Sequence, residues 1–266
     1  MSAPQSLTWL WNHNHFSAQA NLPVSDRGFR YGMSVFESLR LCDGHLHFAE
    51  AHWARLRTAA QRCLFPLSES IFPHLPPLLK DLQGDWFIRL YVTAGDGSPT
   101  DPVVAPRVVL FAEQRVRIPA TKHHIALSEP PFRPLYGGIK TGNYWENVKA
   151  LTFAKTQTAT ETLLFNSLEQ LVSASMANVF LRIDGRWITP SINTECRNGV
   201  VRSWVQGRFA VIESTVSKED VLRAESGFLT NSWMGIGVIE TIEKRPLTPD
   251  PEVAALEAQF EGIASH

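Results

Sequence analysis

Apolar and polar positions alternate through the N-terminal part of the chain, and this pattern predicts strands packed with helices. Residues 34–48, SVFESLRLCDGHLHF, alternate as a hairpin does, with a turn at Asp43-Gly44. The side chains on one face would be Phe36, Ser38 and Arg40, and those on the other Glu37, Leu39 and Leu41. Further strands are predicted at 6–12, 85–97 and 106–114, and helices at 49–63 and 70–83.

A stretch rich in Pro and Gly, SEPPFRPLYGGI at 128–139, interrupts the pattern and is typical of a linker or crossover. Beyond it the pattern predicts a helix at 144–158 and short strands with turns at Asn166-Ser167 and Asp184-Gly185. The remaining predicted elements are a helix at 199–206, a strand at 209–215, a helix at 217–224 and a strand with a loop at 227–242.

This mixture of elements predicts an α+β fold in two domains. We expect a small N-terminal domain at 1–120, a linker at 121–139 and a larger C-terminal domain at 140–266 that carries Lys140.

Charge and cysteine content narrow the classes of function. With 25 basic and 26 acidic side chains the net charge is −1, which gives no electrostatic basis for binding nucleic acid or an anionic membrane. The three cysteines, Cys42, Cys63 and Cys196, are far apart and in no metal-ligand spacing. The N-terminus lacks a signal-peptide pattern, and no apolar run approaches the roughly 20 residues that span a bilayer. We therefore expect a reduced, cytoplasmic protein without a metal or a membrane segment.

Lys140 stands in GGIKTGNYWENVKAL, between a diglycine and the start of a predicted helix. A surface lysine is the common interpretation of any single lysine. The alternative is a lysine that forms a Schiff base, whose amine must lose its proton to attack a carbonyl. The motif alone does not decide between the two.

Five fragments occur in a fixed order along the chain: DRGFRYGMSVFESLRL, EAHWARL, IKTGNYWENV, RNGVVR and GFLTNS. Together they resemble the class IV aminotransferases, the fold-type IV pyridoxal-phosphate enzymes. That family includes branched-chain and D-amino-acid aminotransferases and aminodeoxychorismate lyases. The resemblance extends from about residue 8 to 240. It implies a two-domain α+β fold, a pyridoxal 5′-phosphate cofactor at the domain interface, and a homodimer.

The resemblance also implies roles for individual residues. Lys140 would bond the cofactor and move the substrate's α-proton, and Tyr144 would hydrogen-bond the ring oxygen O3′. The phosphate would be held by Arg55, by the turn that leads into Val200 and Val201, and by Thr230, Asn231 and Ser232. The substrate pocket would be lined by Tyr31, Phe36, Arg40 and Arg89.

Ser173 is a departure from the family pattern. The stretch VSASMANVF at 172–180 matches a motif in which the family places a glutamate beside the pyridine nitrogen, and here that position is Ser173. A neutral hydroxyl in place of a carboxylate makes the ring a poorer electron sink. Glu169 or Glu195 would be candidates to compensate.

Three hypotheses remain open. The first is an aminotransferase acting between a small, branched-chain type of amino acid and a 2-oxo acid. The second is a lyase such as 4-amino-4-deoxychorismate lyase, releasing pyruvate and p-aminobenzoate, which Ser173 favours. The third is a cofactor-binding protein that has lost turnover, an idea opposed by an intact Lys140.

Overall fold

The computed structural model describes residues 5–18, 21–119, 121–128, 131–133 and 137–263. The chain divides into two compact units. The first consists of Met1–Arg117 with Ile139–Asn143, and the second of Ile118–Gly138 with Tyr144–His266.

The described residues of the first unit form one antiparallel sheet of six strands in the order β2-β1-β6-β5-β3-β4. The strands are β1 (Ser6–Asn12), β2 (His15–Ser17), β3 (Ser34–Cys42), β4 (His45–Leu46), β5 (Asp85–Thr93) and β6 (Arg107–Gln114). The helices are α1 (Arg27–Tyr31), α2 (Ala49–Arg62) and α3 (Leu75–Leu79), the last preceded by a 3-10 turn at Glu69–His74.

The apolar core of this unit lies on the face of the sheet that α2 covers. Leu39 and Leu41 of β3 pack there with Leu56 of α2, and all three are buried. The alternation predicted for residues 34–48 is confirmed, because Phe36 stacks on Tyr91 from the next strand on the other face, with ring centroids 5.2 Å apart.

The second unit is built on a mixed sheet of nine strands among its described residues, in the order β12-β11-β10-β13-β14-β7-β8-β9, with β15 paired to β14. The strands are β7 (Lys122–Leu127), β8 (Glu161–Phe165), β9 (Leu171–Ala174), β10 (Asn178–Ile183), β11 (Arg186–Pro190), β12 (Val211–Ser214), β13 (Ser226–Asn231), β14 (Gly235–Ile242) and β15 (Arg245–Pro246). The helices are α4 (Trp145–Thr156), α5 (Val200–Gln206), α6 (Lys218–Arg223) and α7 (Pro251–Ile263), with a 3-10 turn at Ile192–Thr194.

The predicted domain boundaries need two corrections. Lys140 was expected in the C-terminal domain, but the segment Ile139–Asn143 belongs to the first unit because it pairs with the free edge of β3. The expected linker at 121–139 contains β7, which pairs in parallel with β14 and β8 inside the second sheet. Within that stretch, residues 129–130 and 134–136 lie outside the described residues.

The other predicted elements are confirmed to within a few residues. Helix α6 begins with a capping box formed by Ser217 and Asp220. Helix α7 was not predicted, although Pro251 at its start and apolar Val253, Leu256 and Phe260 are a helical signal. Over the ranges the structure describes, no helix has the length and apolar character to cross a membrane.

Candidate functional site

The position of Lys140 is fixed by the sheet of the first unit. The Phe36 backbone N–H donates to the Lys140 carbonyl at 2.9 Å, and the Gly142 N–H donates to the Ser34 carbonyl, also at 2.9 Å. Residues 140–142 thus extend the sheet beside the start of β3. The Lys140 Nζ lies 4.2 Å from the centroid of the Phe36 ring. The lysine amine is therefore held over an aromatic ring that is itself buried.

The same face of this sheet carries Arg89. Its guanidinium carbon lies 5.8 Å from the Phe36 centroid and 5.0 Å from the Phe87 centroid, and Nη1 donates to the Tyr91 hydroxyl at 3.0 Å. A cation held between aromatic rings and a phenol is suited to receive a carboxylate. Lys140 and Arg89 therefore lie over one ring, that of Phe36.

Arg40 also lies on this face, but it forms an ion pair with Asp85. Its Nε donates to Asp85 Oδ1 at 3.0 Å, and Nη2 lies 2.9 Å from the same oxygen. Arg40 is buried. Of the two predicted pocket arginines, Arg89 is the one without a carboxylate within salt-bridge distance among the described residues.

Arg55 extends from α2 to the opposite face of β3, where it meets Glu37. Its Nε donates to Glu37 Oε1 at 2.7 Å and its Nη2 to Oε2 at 2.6 Å. The Nδ1 of His52 lies 2.8 Å from Oε2. Arg55, expected from the sequence to bind a phosphate, is thus part of a buried ion-pair cluster that the sequence analysis did not identify.

Tyr31 lies at the end of the short helix α1, which two buried residues anchor. Asp26 caps the helix by accepting from the Gly28 N–H at 2.7 Å, and it also accepts from Arg107 at 2.9 Å. The fully buried Arg27 donates to the main-chain carbonyls of residues 94, 95, 98 and 101. Tyr31 is 40% exposed, so it is available for contact with a ligand or another chain.

In the second unit, α5 begins at Val200, and Asn178 fixes the turn before it. The Asn178 Nδ2 donates to the Arg197 carbonyl at 2.8 Å. The approach is close, because a Cβ on Gly199 would lie 2.0 Å from Asn178 Oδ1. Asn178 is also the cross-strand neighbour of Thr230. Asn178 thus connects the two segments expected to bind phosphate, since its side chain fixes the turn before residues 200–201 and its strand position lies opposite Thr230.

Thr230 has a buried hydroxyl that lacks a hydrogen-bond partner among the described residues. A buried polar group without a partner costs free energy, and a bound acceptor or donor would satisfy it. Asn231, in contrast, uses its side chain within the turn. Its Oδ1 accepts from the N–H groups of Trp233 and Met234 at 3.0 and 2.7 Å. This use favours a role for Asn231 in shaping the turn that Ser232 occupies rather than in binding a ligand.

Ser173 lies on β9, half-buried, opposite Leu164 of β8. The turn that follows it is clamped by Glu161, whose carboxylate accepts from the Ser175 N–H at 3.0 Å, the Met176 N–H at 3.2 Å and the Ser175 hydroxyl. From α4, Asn147 Nδ2 donates to the Ser175 carbonyl at 2.7 Å.

Glu161 is a buried carboxylate of this region, whereas Glu169 and Glu195, the two candidates to compensate for Ser173, are both exposed. Burial raises the pKa of Glu161, while the hydrogen bonds that it accepts act in the opposite direction. Tyr144 belongs to this second unit, where it is the N-cap residue of α4 and its carbonyl accepts from the Val148 N–H at 3.1 Å.

Comparisons with known proteins agree with this architecture. The chain is 26% identical over 246 residues to a putative branched-chain-amino-acid aminotransferase of Methanocaldococcus jannaschii, covering 85% of this chain and 84% of that protein. It is 28% identical over 248 residues to an aminodeoxychorismate lyase of Bacillus subtilis, covering 85% and 83%. A crystal structure of an aminotransferase from Brucella abortus bound to the cofactor PLP superposes with a TM-score of 0.85 at 22% identity, covering 98% of this chain and 100% of that one.

The fold is therefore the two-domain α+β fold of the fold-type IV aminotransferases, as the sequence predicted. A family model for amino-transferase class IV matches residues 34–242, which is most of the chain. The fragments that suggested this family fall on or beside the elements described above, from α1 to β13. The chain belongs to the class IV aminotransferase family.

Proposed function

We propose that the protein is a pyridoxal-phosphate-dependent aminotransferase that moves an amino group between a small amino acid of the branched-chain type and a 2-oxo acid. The observation that supports this most directly is the arrangement over Phe36. There the Lys140 amine and the Arg89 guanidinium lie over one aromatic ring, at 4.2 and 5.8 Å from its centroid. An amino-acid substrate would use both groups, Arg89 for its carboxylate and Lys140 as the base for its α-proton.

The residues present fit the cofactor. The orphaned Thr230 hydroxyl is a donor for a phosphate oxygen, and Lys140 is a fixed amine for an aldehyde. The residues that would hold pyridoxal 5′-phosphate are Lys140, Arg55, Tyr144, Ser173, Val200, Val201, Thr230 and Ser232. When bound, the cofactor supplies an aldehyde that joins to amines and a ring that takes up the electron pair left at the substrate carbon.

Lys140 has two tasks in this reaction. With the cofactor bound, Nζ would hold its aldehyde group before the substrate arrives and would stand free beside the substrate's α-carbon afterwards. As a free amine, Nζ would be the base that takes the proton from the substrate's α-carbon and the acid that returns a proton in the later half of the reaction. The hydrogen bonds between residues 140–142 and β3 fix the backbone from which the Lys140 side chain would reach both positions.

Arg89 orients the substrate by pairing with its carboxylate, and the hydroxyl of Tyr91 holds Nη1 in position. The rings of Phe36 and Phe87 shield this ion pair from water, which strengthens it. Tyr31 and Arg40 complete the proposed pocket, where Arg40, already paired with Asp85, contributes shape more than net charge.

We also propose that the working form is a homodimer. Phe29 of α1 is 69% exposed and Val24, just before the helix, is 77% exposed, beside the half-exposed Tyr31. Exposed apolar side chains of this size close together in sequence are typical of an interface. Sedimentation-equilibrium centrifugation tests it, and a monomer at micromolar concentration would overturn it.

A lyase acting on 4-amino-4-deoxychorismate is the second candidate, and Ser173 favours it. A neutral hydroxyl beside the ring nitrogen makes the cofactor ring a weaker electron sink. Transamination depends on that sink more strongly than elimination does. The lyase of Bacillus subtilis is 28% identical to this chain, so similarity alone does not separate the two activities.

The deciding experiment is an absorption titration with pyridoxal phosphate of wild type, Lys140→Ala and the control Lys149→Ala, a change on the exposed side of α4. A visible band in wild type and the control, absent in Lys140→Ala, supports the cofactor assignment. Loss of that band on adding a branched-chain amino acid, with 2-oxo acid formed, supports the aminotransferase. Pyruvate released from aminodeoxychorismate without such a change identifies the lyase. A stable band with neither product indicates a cofactor-binding protein, and no band in wild type overturns the proposal.

A further inference from the structure

We infer that Glu37 is a positioning residue for the cofactor, which acts by fixing the direction in which Arg55 presents its guanidinium to the phosphate. The inference rests on the proposed function and adds to it a residue to which the sequence motifs gave no role. Glu37 itself would touch neither cofactor nor substrate.

The contact between the two side chains is a two-pronged ion pair. Arg55 donates from Nε and Nη2 to the two separate oxygens of Glu37, at 2.7 and 2.6 Å. Two parallel hydrogen bonds fix the plane of a guanidinium as well as its place, which a single bond does not do. The same two bonds fix the direction in which the opposite edge of the guanidinium points.

Glu37 is itself immobilised. Its side chain is 2% exposed, against 23% for Arg55, so the acid is inside the unit and the arginine extends from it toward the surface. His52, 1% exposed, approaches the same oxygen Oε2 that Arg55 Nη2 uses. A buried carboxylate with this many donors has one stable orientation.

The ionisation of the cluster agrees with this geometry. Burial alone would raise the pKa of Glu37, but the charge and hydrogen bonds of Arg55, helped by His52, bring it well below its usual range. Burial lowers the pKa of His52, against the opposing effect of Glu37, and its Nδ1 faces Glu37 Oε2. Glu37 therefore neutralises much of the charge of Arg55. The contribution of Arg55 to anion binding is then the orientation of its N–H groups more than its net charge.

Strand β3 links this pair to the catalytic lysine. Phe36, directly before Glu37, donates its backbone N–H to the Lys140 carbonyl and places its ring beneath Nζ. The group for the aldehyde and the group for the phosphate are thus both held by consecutive residues of one strand. A rigid strand fixes the distance between them, as a rigid cofactor requires.

The test uses Glu37→Asp, which keeps the charge but withdraws the carboxylate by one methylene, about 1.5 Å. The full-length protein is titrated with pyridoxal phosphate and, separately, with pyridoxal, which lacks the phosphate. We expect the affinity for pyridoxal phosphate to fall by about tenfold to a hundredfold, since a displacement of this size costs that much at a well-oriented site. The affinity for pyridoxal should stay within about twofold of wild type. Glu50→Asp, an exposed acid in the first turn of α2, is the matched control and should change neither value.

Arg55→Lys is the second variant, because lysine cannot make the two-pronged pair. It should lose the same phosphate-dependent affinity, and adding Glu37→Asp to it should cause little further loss. Equal loss of pyridoxal and pyridoxal-phosphate affinity in Glu37→Asp would overturn the inference in favour of a general structural role, as would unchanged binding of both. A wild type that binds no pyridoxal phosphate overturns the proposed function instead, so the two failures are distinguishable.

Discussion

Phe36 and Glu37 are neighbours on β3, and their side chains lie on opposite faces of the strand. The Phe36 ring lies beneath the Lys140 amine, and the Glu37 carboxylate accepts hydrogen bonds from Arg55. A shift of one residue in the pairing of β3 with β5 would exchange the two faces. The amine would then stand over a carboxylate, and the arginine would meet a phenyl ring. The register Phe36 to Tyr91 is therefore a condition of function as well as of packing.

Replacing Glu161 by Gln should destabilise the second unit. The Glu161 carboxylate accepts hydrogen bonds from the N–H groups of Ser175 and Met176. A glutamine amide would place its own N–H group against one of these donors, and a buried donor without an acceptor costs about 1–3 kcal/mol. We expect the free energy of unfolding in urea to fall by about 1–3 kcal/mol. Glu146→Gln, exposed in the first turn of α4, is the control and should change it by less than about 0.5 kcal/mol. Equal effects in the two variants would show that the clamp is not stabilising.

Replacing Arg27 by Lys should destabilise the first unit and loosen α1. Arg27 is 1% exposed and donates to carbonyls on residues 94–101, with its shortest bonds at 2.5 and 2.7 Å. A lysine ammonium cannot reproduce this fork, so we expect a loss of about 2–4 kcal/mol in urea unfolding. Arg30→Lys, whose guanidinium lies over the Tyr31 ring, serves as the comparison and should cost less than about 1 kcal/mol. The idea fails if Arg27→Lys unfolds at the wild-type urea concentration.

His47 should make the protein less stable as the pH falls. Burial, together with the charges of Arg40 and Arg117, lowers the pKa of His47 to about 4, although Asp85 opposes them. The folded state then resists a proton that the unfolded chain accepts below about pH 6.5, so stability is lost between about pH 6.5 and 4. After allowance for solvent screening we expect a loss of about 1–2 kcal/mol across that range.

His47→Gln tests this directly, because glutamine does not titrate. Urea unfolding of wild type and variant at pH 7 and pH 4.5 should give a smaller decrease for the variant by about 1 kcal/mol. His13→Gln, on an exposed turn, provides the control and should leave the wild-type decrease in place. An identical pH dependence in all three proteins would remove His47 as the cause.

Introducing a carboxylate at position 173 should favour transamination. If Ser173 lies at the ring nitrogen, Ser173→Glu keeps that nitrogen protonated and strengthens the electron sink. We expect the single-turnover rate with an amino acid to rise by about tenfold, equal to about 1.4 kcal/mol of barrier. Ser167→Glu adds the same charge on an exposed turn and should leave the rate unchanged. A rate that does not rise, with cofactor affinity intact, would place Ser173 away from the ring nitrogen.

Helices and strands could be predicted from the sequence where their apolar residues recur with a single clear spacing. The hairpin at 34–48 and helix α2 follow from alternation and helical spacing, and both are confirmed. Strand β7 was missed because KHHIAL begins with polar residues and stands directly before a proline-rich stretch that is typical of a linker. Its parallel partners are distant in sequence, so its inclusion in a sheet leaves no local signal.

The candidate site shows the same division. The glycines and order of fragments pointed to Lys140, but its attachment to β3 is a pairing between residues more than 100 positions apart. Glu37 did carry a signal, since an acid that alternates with Leu39 and Leu41 points into a core and must have a partner there. The identity of that partner, Arg55, depends on how α2 packs on the sheet, which the sequence pattern does not specify.

The first unit includes a segment, Ile139–Asn143, that is distant in sequence from the rest of that unit, so truncation before this segment would change its sheet. Residues 139–143 occupy the part of β3 that no neighbouring strand covers among the described residues. A fragment ending near residue 120 would keep every other strand of the first unit yet expose a row of backbone donors and acceptors at residues 34–36. Bare edges of this kind recruit strands from other molecules. The segment that carries the reactive lysine therefore also protects the first sheet from self-association, and insolubility of such a fragment would be the visible sign.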